Sequence, residues 1–218
     1  MTYPNTGLPQ RARRRTADSR LPAFLWRRNL VSDVVQGIIV GAVLAFITFQ
    51  LLAHVDVTKI NGWTTVYGCG EPGNGILLRA ACAQTFPGPI NVVQEAVYWR
   101  TKVDGTGQRL SGRHDYIVHF PPGQLPPNDA FWSLTMGDAR NRFVPNPINR
   151  YSVGGSAGLV PNADASLDIY IAHAAPAAHE SNWLPSPAGR FILWLRVYRP
   201  GAAILEGKYK VPAVVETR

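Results

Sequence analysis

The chain has 218 residues, 46% of them hydrophobic, with 20 glycines, 18 prolines and 2 cysteines, a length and composition that fit one domain with appendages rather than two full domains. Its net charge of +8 invites a nucleic-acid reading, but the excess is lopsided. Arg11, Arg13, Arg14, Arg15, Arg20, Arg27 and Arg28 stand against only Asp18 and Asp33 before position 34, so the nearly balanced remainder argues against nucleic-acid binding by a folded domain.

Residues 1–33 lack apolar periodicity and read as a basic tail. Val34 to Val55, VVQGIIVGAVLAFITFQLLAHV, then holds no acidic or basic residue except His54 near its end. At about 1.5 Å rise per residue this stretch reaches roughly the 30 Å of a bilayer core, which predicts a transmembrane helix over 34–55. The long leader and the LLAHVD exit favour an uncleaved anchor over a secretory signal peptide. Arginines crowd the N-terminal flank while Asp56 and Lys59 cancel on the other, which predicts a cytoplasmic N-terminus and an extracytoplasmic domain, periplasmic in a Gram-negative cell. Arg27-Arg28-Asn29-Leu30-Val31 loosely matches a twin-arginine signal, but paired arginines before a span are also what positive-inside topology produces. Gly37, Gly41 and Ala45 recur every fourth residue and share one helix face; they read either as a seat for a partner helix or as ordinary membrane-helix composition.

Asp56 to Gly75 reads as a linker, with Trp63 either interfacial or the first packed residue of the domain. Ile76, Leu77 and Ala80 or Ala81 share a face in GILLRAACAQ and predict one short helix, stopped by Pro87, Gly88 and Pro89. Glu95–Lys102 and His114–Phe120 flank Asp104-Gly105 and Thr106-Gly107 and read as a long hairpin. Ala130, Trp132, Leu134 and Met136 alternate with Phe131, Ser133 and Thr135, the pattern of a strand buried on both faces and central to its sheet. Leu167, Ile169 and Ile171 share one face of a further strand. Phe191, Leu193, Leu195 and Val197 share one face of another, with Ile192, Trp194 and Tyr198 opposite. Residues 76–218 are therefore expected to form a mainly β domain, an antiparallel jelly-roll-like β-sandwich with one short helix, preceded by the single transmembrane helix.

Asp138, Asn146, Arg150 and Tyr151 follow the central strand on an irregular path, and Asn182 and Trp183 precede the last strong strand. With Trp132 they form the candidate ligand site, since aromatic walls with a few polar groups suit a small apolar or sugar-like molecule. The same residue types serve equally well to brace loops, and Trp183 to plug the end of a sandwich. Gly68 to Gly73 spells G-x-G-x-x-G, but no alternating strand and helix units follow, so no dinucleotide cofactor is expected. Gly154 to Gly158 spells G-x-S-x-G without the strand-to-helix turn of a nucleophile elbow. His114, His119, His173 and His179 show no chelating spacing, and no metal is expected. Cys69 and Cys82 read either as a disulfide on the oxidising side or as two thiols, Cys82 packed within a helix.

The segments AFWSLTMGDA, FVPNPINRYSV and SNWLPSPAGRFILWLRVYRP, with ILLRAACA, QEAVYW and DGTGQRLSGRHDYIVHF upstream, closely resemble the family called domain of unknown function 1214. The resemblance runs from about Ile76 to Pro212 and implies a jelly-roll-like sandwich, but carries no assigned activity. Many relatives place a second domain of unknown function, numbered 1254, upstream. Here the basic tail and the span take that place, and a separate chain is expected to supply the missing half. Ala165 stands where members often have Gly. The expectation is thus a membrane-anchored binding or accessory module with a helix partner; the rival is a hydrolase-type enzyme using the sandwich rim.

Overall fold

A computed structural model describes residues 30–54, 57–85 and 91–217. The chain divides into two compact units, Met1–Ala45 and Phe46–Arg218. The tail expected over 1–33 lies, as far as Asn29, outside the described residues, as do Val55, Asp56 and the Pro87-Gly88-Pro89 stop.

Helix α1 spans Leu30–Leu52, 23 residues, beginning four positions before the expected span and ending three before its expected end. Asp33 in the first turn suits the positive end of the helix dipole. Gln36 donates to the Ser32 hydroxyl at 3.2 Å, and His54 Nδ1 lies 2.7 Å from the Gln50 carbonyl, so polar side chains near both ends bond within the helix. None of the helix's residues is buried, and it is long and apolar enough to cross a membrane.

The expected linker is a correction. Residues 57–66 form strands β1 (Val57–Ile60) and β2 (Trp63–Val66), paired antiparallel. Asn61 and Gly62 between them have φ of 51° and 85°, the doubly left-handed geometry of a type I′ hairpin turn. A side chain at Gly62 would also meet the Asp104 carbonyl at 2.8 Å. Trp63 is fully buried and its indole N–H donates to the Pro212 carbonyl at 2.7 Å, so it packs inside the domain.

Beyond the hairpin come α2 (Ile76–Thr85), β3 (Ala96–Thr101), β4 (Tyr116–Phe120), β5 (Asn128–Asp138), β6 (Ser152–Gly154), β7 (Leu167–Ala172), β8 (Trp183–Pro185), β9 (Phe191–Pro200), the one-turn helix α3 (Ala202–Leu205) and β10 (Val214–Glu216). Buried Cys69 and Cys82 are joined in a disulfide that ties α2 to the turn after β2. The strands form one six-stranded sheet, β1-β2-β3-β9-β5-β6, and one four-stranded sheet, β10-β4-β7-β8. Every ladder is antiparallel except β7–β8, which is parallel. β5 is an interior strand, but β3 and β9 occupy the middle of its sheet.

The fold is a mainly β two-sheet sandwich. Val97 and Trp99 of β3, Leu193 and Leu195 of β9, and Leu134 and Met136 of β5 face Val118 and Phe120 of β4 and Ile169 and Ile171 of β7 in one core. The expected long hairpin does not form, because β3 and β4 belong to different sheets. The intervening chain is turned by Asp104, whose carboxylate accepts from the Thr106 N–H (2.8 Å), the Thr106 hydroxyl (2.8 Å) and the Gln108 N–H (2.9 Å). It then bridges Ser111 to Arg190 before crossing to the second sheet.

Two stability predictions follow from this backbone. Ala165 has φ of 65°, in the left-handed region that costs an L-residue roughly 1–2 kcal/mol, part of which glycine's larger unfolded-state entropy takes back. Ala165→Gly should therefore stabilise the domain by about 0.5–1 kcal/mol, read as a higher urea midpoint with an unchanged slope. At Asp104, burial pushes the carboxyl up, but the bonds from Thr106, Gln108 and Gly107 outweigh it and hold it below its ordinary value. A depressed folded pKa contributes stability that is present above the unfolded value of about 3.9 and is lost as pH falls through the folded one. Urea melts at pH 7 and pH 3 should show an acid loss that Asp104→Asn reduces; an equal loss in the variant would clear Asp104 of that role.

Candidate functional site

The structure separates the seven rim candidates into two groups. Asp138 closes the turn after β5: it accepts from the Arg140 N–H (2.8 Å) and Arg142 N–H (2.9 Å) and pairs with the Arg142 guanidinium at 2.7 Å. The backbone and side-chain bonds from Arg142 hold its carboxyl below the usual range. Asn146 closes the next loop, donating to the Val144 and Arg150 carbonyls at 3.1 and 2.9 Å and accepting from the Arg150 N–H at 2.9 Å. Arg150 points the other way: one guanidinium nitrogen donates to the carbonyls of Glu180, Ser181 and Trp183 at 2.6, 3.2 and 2.9 Å. Buried Asn182 bonds both backbone groups of Val160 and the Asp168 carbonyl. Trp183 is buried and donates to the Ala172 carbonyl at 2.9 Å, filling the place of a plug. These five side chains brace loops.

Trp132 and Tyr151 are brought together. Both border a groove of about 280 Å³ at β5, β6 and β9, Trp132 from the core side, where its ring packs 5.3 Å from that of Phe120. Register explains its floor: Ser133 pairs Arg196, Thr135 pairs Ser152, and Phe131 pairs Tyr198, so side chains of β5, β6 and β9 stand side by side on one face. One wall is Phe131 stacked on Tyr198, with centroids 4.5 Å apart and planes at 25°. The other is Phe143 against Tyr151 at 5.5 Å. Beside the first wall, Tyr98 meets Tyr198 edge-on and accepts from the Asn91 side chain; burial and its neighbour Tyr198 push its hydroxyl up to about 12, so it stays neutral.

The groove offers two aromatic walls, the hydroxyls of Ser133, Thr135, Ser152 and Ser156, and the Arg196 guanidinium. Its described lining contains no histidine, cysteine or carboxylate. It suits a flat ring with an acceptor or anionic substituent for Arg196. Phe131, Ser133, Thr135, Phe143, Ser152, Arg196 and Tyr198 were not candidates from sequence; the usable signal was the outward parity of β5 and β9, which puts polar and aromatic residues opposite a wholly apolar inner face. Ser156, in the G-x-S-x-G string, lines the groove, whereas Gly154 is needed because a Cβ there would strike the Trp132 carbonyl. The four histidines are dispersed: His114 sits 2.8 Å from Glu216, His119 2.6 Å from Asp168, His173 2.9 Å from the Ser186 carbonyl, and His179 stacks on Tyr170.

The protein is a two-sheet sandwich with an aromatic groove beside β5, β6 and β9. The model of the family described as "Protein of unknown function (DUF1214)" matches residues 95–202, from the residue before β3 to the start of α3. Residues 95–202 are thus a domain of that family, and the resemblance read from the sequence is borne out over that stretch. Among solved structures, the chain is similar to the VPA0106 protein from Vibrio parahaemolyticus, at 28% identity and a TM-score of 0.56, over 67% of this chain and 36% of that one. It spans, then, about a third of that protein's length. An uncharacterized protein from Burkholderia cenocepacia matches at 16% identity and a TM-score of 0.33, over 56% of this chain and 29% of that one, too distantly to carry an argument. No curated protein matches.

The bracing role of Arg150 has a measurable size. Losing three carbonyl acceptors of one charged donor should cost about 2–3 kcal/mol. Arg150→Ala should lower the urea midpoint accordingly and Arg150→Lys should restore only part of it, because an ammonium lacks the planar fork. An unchanged midpoint in Arg150→Ala would remove the brace from the account.

Proposed function

We propose that the chain is a membrane-anchored binding module that presents its sandwich on the extracytoplasmic side and holds a small flat ligand in the groove between Phe131 and Tyr151. The groove itself carries the reading: paired aromatic walls with a single cation at the floor favour holding a ring over transforming it. The hydrolase reading at the rim finds no support in Asp138, Asn146, Arg150 and Asn182, whose polar groups are spent on backbone. The anchor rests on the length and apolarity of α1, and its orientation on the arginines before it.

The proposal extends to a helix partner at the Gly37, Gly41 and Ala45 face, where a Cβ built on either glycine meets no atom within 4 Å. A separate chain carrying a 1254-type domain is the proposed occupant. Pull-down from mild detergent should recover that partner with the natural chain and lose it with Gly37→Leu/Gly41→Leu; identical recovery from both would refute this part.

For the groove, the intrinsic fluorescence of the full chain should respond saturably to benzoate or to a methyl glycoside, since Tyr151 and Tyr198 line the site and Trp132 borders it. Arg196→Gln should weaken benzoate by about tenfold, the size of one charge-assisted bond, and leave a neutral glycoside nearly unaffected. Absence of a saturable response to either probe, or equal affinities in Tyr151→Ala, would overturn the groove as the binding site.

A further inference from the structure

The polar groups on the floor of the aromatic groove set which kind of ring fits it. Buried hydroxyls elsewhere in the domain are spent on the protein: Thr65 donates to the Tyr98 carbonyl, Thr101 to the Gly62 and Val103 carbonyls, and Ser166 to the Asp164 carboxylate. The Ser186 hydroxyl is enclosed without a partner. Thr135 differs from all of these. It is 4% exposed, its hydroxyl has no hydrogen-bond partner among the described residues, and it belongs to the lining of the groove. Buried polar groups are normally hydrogen-bonded, so a hydroxyl left over against a cavity indicates what the cavity takes.

Register places three more polar side chains beside it. Ser133 pairs Arg196, and Thr135 pairs Ser152, so the four trace a diagonal over three strands from β9 through β5 to β6. With strands about 4.8 Å apart and alternate residues about 6.8 Å apart along one strand, successive members stand about 5–7 Å apart at their Cα atoms. All four can therefore address one six-membered sugar ring and its substituents. Like Thr135, the side chains of Ser133, Ser152 and Arg196 have no hydrogen-bond or ion-pair partner among the described residues. Of the acids carried by or beside these strands, Glu95, Asp129 and Asp138, none lines the groove or pairs with Arg196, and Asp138 is held by Arg142.

We infer that the ligand of the groove is an acidic sugar, a hexuronate residue, with its carboxylate on Arg196 and its ring hydroxyls on Ser133, Thr135 and Ser152. This rests on the reading of the groove as a ligand site and narrows it to one chemical class. An aromatic acid would satisfy Arg196 but has no polar group along its ring edge, so it would seal the Thr135 hydroxyl away from water without a partner. A neutral sugar would satisfy the hydroxyls but cover the half-buried guanidinium without compensating its charge. A uronate does both, since its carboxylate matches the planar fork of arginine and its hydroxyls donate and accept. The C–H faces of the same ring are apolar and suit the Phe131–Tyr198 and Phe143–Tyr151 walls.

Calorimetric titration of the full chain in a polyoxyethylene detergent, which contains no sugar, tests the class. Methyl glycosides of glucuronate and galacturonate are compared with the neutral methyl glucoside and galactoside, and with benzoate, at matched ionic strength. The better uronide is expected to bind about tenfold more tightly than its neutral counterpart and than benzoate. Thr135→Val keeps the shape of the side chain and should weaken that uronide about tenfold while leaving benzoate within about twofold. Ser152→Ala, at an exposed position, should also weaken the uronide, and it carries the test if Thr135→Val lacks the native near-ultraviolet circular dichroism. A neutral glycoside or benzoate that binds as tightly as the better uronide, or a uronide affinity retained in the folded variants, would overturn the acidic-sugar inference and leave the groove a ligand site. Saturable binding by none of these compounds would overturn the groove reading and this inference together.

Discussion

The pairing of β9 with β3 on one side and β5 on the other is the constraint on which the rest depends. Trp99, Leu195 and Leu134 form one row across the three strands, all fully buried, and the rows on either side follow by parity. A one-residue slip of β9 would turn Leu193, Leu195 and Val197 to the outward face and bring Trp194, Arg196 and Tyr198 into the core. That exchange would bury a guanidinium and a phenol against Val118 and Ile169, so the register is held by the cost of the alternative. The same parity determines what the outward face carries. Arg196 and Tyr198 reach the groove because their even-numbered positions on β9 point away from the core.

Elements whose signal is local were legible. Helix α1 is apolar over most of its length, β7 alternates, β9 is a long apolar run, and the family segments place the sandwich. The failures are of two kinds. Lys59-Ile60-Asn61-Gly62-Trp63-Thr64 contains the Asn-Gly signal of a two-residue hairpin, but a short polar stretch after a long apolar helix has the composition of a tether as well. Glu95–Lys102 and His114–Phe120 look like a hairpin because two alternating runs around a glycine-rich turn have the same pattern whether they pair or face each other. Only the partners settle it: β3 takes β2 and β9, while β4 takes β7 and β10. Those partners lie far along the chain and leave no local mark.

The family match begins at residue 95, yet the six-stranded sheet does not. The β1–β2 hairpin extends it past β3, Trp63 enters the core beneath that extension, and the Cys69–Cys82 bond fastens α2 beside it. Two of the sheet's six strands therefore lie outside the matched stretch.

The rim residues chosen from sequence contribute to the groove at one remove. Asp138, Asn146 and Arg150 are residue types that bind backbone as readily as ligand, and composition cannot separate the two uses. Here they hold the path from β5 to β6 through two tight turns, with Asn141 and Asn149 in the left-handed region at φ of 60° and 50°. That path carries Phe143 and Tyr151. Phe143 is 64% exposed, so burial does not hold it in place; its position comes from the braced backbone beneath it and from contact with Tyr151. Arg150 adds the remaining tie, anchoring the residue before Tyr151 to the carbonyls of the 180–183 turn. One wall of the groove is thus set by sheet register and the other by loop hydrogen bonds, and the second is the wall that a change in the braces would move.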